Sequence, residues 1–108
     1  MQYKLEIYAP ENEVIKIRDL LIEMEAGIVG NYDSVISIVN ISGFWRPNGA
    51  STPVTGEKNQ INFGHEVRIE VRCDKEKVAA TLKAIRQIHP YEEPVINIIP
   101  LANHEFEI

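Results

Sequence analysis

Twice along this chain a strand-like alternation gives way to a helix-like one, and that repeat limits the folds open to it. In "EVRIEVRC", Glu66 to Cys73, the residues Val67, Ile69, Val71 and Cys73 face one way, while Glu66, Arg68, Glu70 and Arg72 face the other. This is the period-2 pattern of a half-buried strand. Asp74 then stands at a natural N-cap, and Val78, Leu82 and Ile85 form the apolar stripe of a helix. The N-terminus does the same. Tyr3, Leu5 and Ile7 alternate with Lys4, Glu6 and Tyr8, Pro10 stops the run, and Val14, Ile17, Leu21 and Met24 recur at helical spacing, with Leu20 alongside. Glu11 and Glu13 suit the positive end of that helix's dipole, and Gly27 is placed to end it.

Between the halves lies a β-branched run, about 33–44, with apolar side chains on both faces, predicting a strand covered on two sides. A long loop at about 44–64 follows, rich in Gly, Pro, Asn, Ser and Thr. Loops of that length in a small domain tend to be functional or mobile. A last strand, "PVINIIPL", closes the order β-α-β-loop-β-α-β. Each helix has one apolar stripe and needs one surface to bury it, so both cover the same sheet face. The fold class is α+β: a ferredoxin-like βαββαβ sandwich, two helices on one face of an antiparallel four-stranded sheet, residues 1–108 making one domain. The uncovered face then carries Lys4, Glu6, Glu66, Arg68, Glu70 and Arg72. Those charges are open either to solvent or to pairing across strands and chains.

Composition excludes some function classes. The 108 residues carry a formal net charge of −5 with no Lys/Arg run, which argues against nucleic acid and anionic membrane as partners. No apolar run is long enough to span a bilayer, and the first ten residues alternate without the apolar core of a signal peptide, so a cytoplasmic protein is expected. Cys73 is the one cysteine, so no internal disulfide forms.

Chemistry concentrates in "IHPYEEP", Ile88 to Pro94. His89 should end the second helix, because the residue before a proline is driven out of the α region. An imidazole beside Tyr91, Glu92 and Glu93 could hold a divalent cation. The plainer reading is a joint turning the helix into the last strand, and alternation in an extended segment would put Glu92 opposite Tyr91 and Glu93. Cys73 shares its strand face with three apolar residues and reads as an inert buried thiol. His65 lies eight residues away on the same strand, roughly 26 Å, too far to share a metal with Cys73. His104 sits among acidic tail residues and reads as a solvated group. In the loop, Trp45 is a contact anchor or a core residue, and Arg46 is a ligand or interface candidate. The spacing of a phosphate-cradling loop is missing.

"GIVGNYDSVIS", "SGFWRPNGASTPVTG", "EVRIE" and "HPYEEP", in that order, resemble the domain inserted in the NGG-interacting-factor-three proteins, the dinuclear-metal-centre family. "HPYE" is also similar to the CutA divalent-cation tolerance proteins. Both groups are related in architecture to PII signalling proteins, trimers whose sheets face inward. The resemblance implies a PII-like homotrimeric binding or regulatory module, with the region around His89 near subunit contacts and ligands in clefts between subunits. It implies no enzyme, because the parent family's two-metal chemistry sits in a separate domain with several histidines and carboxylates per site. The CutA likeness implies an alternative, a copper or other divalent-cation site through His89 or Cys73. No other cofactor is implied, and the ligand stays unnamed.

Overall fold

In the computed structural model, which describes residues 1–53 and 56–108, the chain forms strand β1 (Gln2–Ala9), helix α1 (Val14–Glu23), strands β2 (Ile36–Trp45) and β3 (Asn62–Asp74), helix α2 (Lys75–Ile88) and strand β4 (Ile96–Pro100). Short 3-10 turns sit at Glu11–Glu13 and Asn103–Phe106. All pairs are antiparallel, and the sheet order is β2-β3-β1-β4. This is the βαββαβ sandwich that the periodicity requires.

The core lies between the helices and one face of the two central strands. Leu5, Ile7 and Ala9 of β1 and Val67, Ile69, Val71 and Cys73 of β3 meet Ile17 and Leu21 of α1 and Ile85 of α2. Each of the large aliphatic side chains here contributes on the order of 1.5–3 kcal/mol by leaving water. The stripe of α2 is displaced from the expected one. Its buried residues are Thr81 and Ile85, with Leu82 only half-buried. Thr81 can be buried because its hydroxyl donates to the Lys77 carbonyl at 2.7 Å and so is satisfied within the helix. Asp74 occupies the N-cap position with extended backbone, but its carboxylate accepts from the Gln2 side chain instead of capping the helix.

The end of α1 also differs from expectation. Glu25, at φ +61°, is the left-handed C′ residue. Its N–H donates to the Ile22 carbonyl, and that of Ala26 donates to the Leu21 carbonyl, the paired bonds of a Schellman motif. Gly27 serves another purpose. At φ +79° its N–H donates to the Arg72 carbonyl and its carbonyl accepts from Val35. A Cβ there would stand 2.9 Å from the Val35 oxygen.

Strand β2 is an edge strand, not a covered one. Ile38 is 51% exposed and Val39 36%. Strands β2 and β3 pair over their whole length, from Ile36↔Val71 to Trp45↔Asn62, but β1 reaches only Val67. Beyond Val67 the hairpin is therefore a two-stranded arm, and the molecule is elongated, 48 × 26 × 23 Å. The loop proper is shorter than expected, 46–61, because both strands run into it; Val54 and Thr55 lie outside the described residues.

The sheet face away from the helices carries the expected charges, in an ordered arrangement. Glu6 stands directly opposite Glu70, a pairing that alone is unfavourable. Lys4 lies 3.2 Å from Glu6 and 3.3 Å from Glu70, while Arg68 lies 2.9 Å from Glu70 and 3.8 Å from Glu6. Two cations thus bracket two carboxylates. The Asn97 amide, donating to Glu6, and then Lys4 hold the Glu6 carboxyl below the usual range. Val39 borders this face from β2 and Ile99 from β4, both partly exposed.

Candidate ligand cleft

Pro90 fixes the start of the site. It drives His89 to φ −69°, ψ 133°, so α2 stops at Ile88 and His89 turns in toward the end of β1, 9% exposed. The ring is engaged at both nitrogens. Nδ1 accepts the Tyr91 N–H at 3.1 Å, which leaves the proton on Nε2 to be donated to the Tyr8 carbonyl at 2.6 Å. His89 thereby ties the end of β1 to the turn that follows α2.

That turn is bent, not extended, so strand alternation does not govern it. Tyr91, Glu92 and Glu93 all line one cleft of about 460 Å³ instead of parting to opposite sides. The Tyr91 hydroxyl donates to Glu66 Oε2 at 3.0 Å, and its ring lies against that of His89, centroids 4.9 Å apart. Burial, and then the Glu66 charge beside it, pushes the Tyr91 phenol well above its ordinary value. Both oxygens of Glu92 accept the Thr52 N–H, at 2.8 and 3.1 Å, fastening the long loop to the turn. The opposite wall is the hairpin arm. Trp45, 38% exposed, lies over Gly64, where a Cβ would meet the indole at 3.0 Å. Trp45 is therefore not a core residue but a wall of the cleft, and Arg46 follows it into the lining.

The structure thus brings together Trp45, Arg46, Tyr91, Glu92 and Glu93, with His89 behind them. Among residues that the sequence does not single out for the cleft it adds Glu66, Tyr8, Ser51 and Val95, and it brings His65 into the lining. Glu66 and Tyr8 sit on the polar side of clean alternations, where nothing local separates a ligand-facing residue from a solvated one. Only the overlap of "EVRIE" with the arm marks Glu66.

Cys73 is elsewhere. It pairs with Tyr3 at the far end of β1, five residues and about 17 Å at strand rise from the Tyr8 carbonyl that His89 grips. Its thiol, 1% exposed and raised by burial, touches the Thr81 hydroxyl at 3.9 Å. His89 and Cys73 do not form one ligand set within a chain, and His89 could bind a cation only by giving up a ring bond. Among the described residues no three His, Cys, Asp or Glu side chains are grouped for a metal. His65 hydrogen-bonds Ser42 across the arm at 2.8 Å, and His104 lies in the C-terminal 3-10 turn. No described helix is long and apolar enough to cross a membrane.

No family model matches the chain. Curated relatives do. The GTP cyclohydrolase 1 type 2 homolog of Halalkalibacterium halodurans is 30% identical over 101 residues, and that of Listeria innocua 31% over 105. They cover 94% and 96% of this chain, which spans only 27% and 28% of their length. A solved Bacillus cereus protein related to NIF3 superposes with a TM-score of 0.78 at 27% identity, over 94% of this chain and 26% of that one. The periplasmic divalent cation tolerance protein CutA from Archaeoglobus fulgidus, 24% identical, superposes at 0.70 over 94% and 85% of the two chains, a likeness of fold. Fold and sequence agree in likening the chain to about a quarter of the length of the NIF3-related proteins, and it shares its fold with CutA.

Proposed function

We propose that the chain is a non-enzymatic, PII-like binding module that works as a homotrimer and takes a small ligand in the cleft between the hairpin arm and the His89–Glu93 turn. The observation that carries this reading is the cleft itself. It is a concave site of about 460 Å³ whose walls are fixed by bonds among residues far apart in sequence, Tyr91 to Glu66 and Glu92 to Thr52. The bracketed charges of the open sheet face, with Val39 and Ile99 at its borders, support assembly through that face. Ligand-dependent assembly would make the module a sensor, not a catalyst.

Two measurements test the reading together. Sedimentation equilibrium at micromolar concentration is expected to give three times the chain mass. A thermal-shift screen of nucleotides, amines and divalent metals is expected to raise the melting temperature for at least one class, with the fluorescence of the single tryptophan, Trp45, responding to the same compound. A monomer whose tryptophan responds to nothing overturns the proposal. Copper binding that survives both His89→Ala and Cys73→Ser would remove the copper alternative.

A further inference from the structure

The cleft's own groups narrow what can occupy it. Its described lining has three carboxylates, Glu66, Glu92 and Glu93, against one guanidinium, Arg46. Glu92 is consumed by the Thr52 N–H. The proton of the Tyr91 hydroxyl is given to Glu66. Among the described residues, Glu66 Oε1 and the whole Glu93 carboxylate have no hydrogen-bond or ion-pair partner within the chain. The site therefore presents unused carboxylate acceptors, and its described donors, on Trp45, Asn48, Ser51 and His65, are neutral groups apart from Arg46. A polyanion such as a nucleotide would set several negative charges beside these carboxylates with Arg46 as the one counter-charge. The other wall is aromatic. Trp45 and Tyr8 line the same cleft as Glu66 and Glu93, and aromatic faces attract cations.

We infer that the cleft selects an organic cation, a primary amine or guanidinium on a flat apolar body, with its charge between Glu66 and Glu93 and its body against Trp45 and Tyr8. The inference rests on the cleft being a binding site, and it runs against a nucleotide as the ligand. Arg46, an exposed residue of the lining, then tolerates a carboxylate elsewhere on the ligand.

The test titrates the full chain with tyramine, with 4-hydroxyphenylacetate as its anionic counterpart, and with ATP, reading Trp45 fluorescence and calorimetric heat. Tyramine is expected to bind saturably. Glu93→Gln and Glu66→Gln are each expected to weaken it about tenfold or more, the loss of one charge-assisted contact. Glu93→Gln alters an exposed side chain, so it stays informative even if Glu66→Gln is poorly folded. Tighter binding of 4-hydroxyphenylacetate or ATP than of tyramine overturns the inference and leaves the cleft standing as a binding site. Tyramine binding unchanged in Glu93→Gln also overturns it. Silence of Trp45 toward all three probes overturns the inference and the binding reading together.

Discussion

The Tyr91 hydroxyl donates to Glu66 Oε2 at 3.0 Å, a bond between residues 25 positions apart that joins the turn after α2 to the arm of β3. It is the clasp of the cleft. Tyr91→Phe removes the donor and leaves a half-buried carboxylate without its partner, which costs about 1–2 kcal/mol. Chemical denaturation of parent and variant should show that loss at neutral pH.

Burial of the Tyr91 ring, then the Glu66 charge and the bond to it, sets an alkaline signature. The folded-state phenol lies above its unfolded value of 10.0. A raised pKa contributes stability that is complete below the unfolded value and is lost as pH rises through the folded one. Parent and Tyr91→Phe should therefore differ most in stability below about pH 10 and converge above it. A difference absorbance titration of the two should place the Tyr91 step on the alkaline side of an ordinary phenol. A step at or below pH 10 would mean the clasp is open in solution.

On the open face the sign is opposite. Glu6 titrates below its ordinary value of 4.5 because Asn97 and Lys4 favour its charged form. Its contribution is present above that value and fades as pH falls through the lower, folded one. If copies meet through this face, acidification below about pH 4.5 should dissociate them before the chain unfolds. Lys4→Met, which removes one of the two cations between Glu6 and Glu70, should move that dissociation to higher pH. Light scattering against far-ultraviolet dichroism separates the two events.

What the sequence showed and what it hid follow from how far each signal reaches. The strands of Leu5 and Ile69 were legible because burial of one face repeats every second residue, and Pro90 marked the end of α2 through a local clash. The loop limits were not, since pairing of Phe44 with Phe63 depends on a partner 19 positions away. Thr81 hid among polar residues because its satisfaction comes from its own helix backbone. The cleft was half visible. "HPYEEP" supplied one wall, but the turn's bend, and hence the meeting of Tyr91 with Glu66, is set by His89 reaching the Tyr8 carbonyl across 81 positions. Gly27 resembles a helix stop in sequence, but Glu25 already fills that role and Gly27 permits a close backbone approach.

That division of labour gives paired predictions. Glu25 holds φ +61°, a conformation that costs an L-residue about 1 kcal/mol, and its ion pair with Lys77 at 3.0 Å is exposed and worth little. Glu25→Gly should therefore stabilise the chain by roughly 0.5–1 kcal/mol, the left-handed strain relieved exceeding the added freedom of the unfolded backbone. Gly27→Ala should do the reverse. It adds left-handed strain and sets a methyl 2.9 Å from the Val35 carbonyl oxygen, a backbone atom that cannot turn aside. A loss of at least about 2 kcal/mol is expected, with amide exchange speeding at Gly27 and Val35, whose N–H groups bond to Arg72 and Gly27. Destabilisation by both substitutions, Glu25→Gly then acting as a glycine inside the helix, would mean that α1 ends at Gly27 in solution and that the Schellman turn at Glu25 does not form.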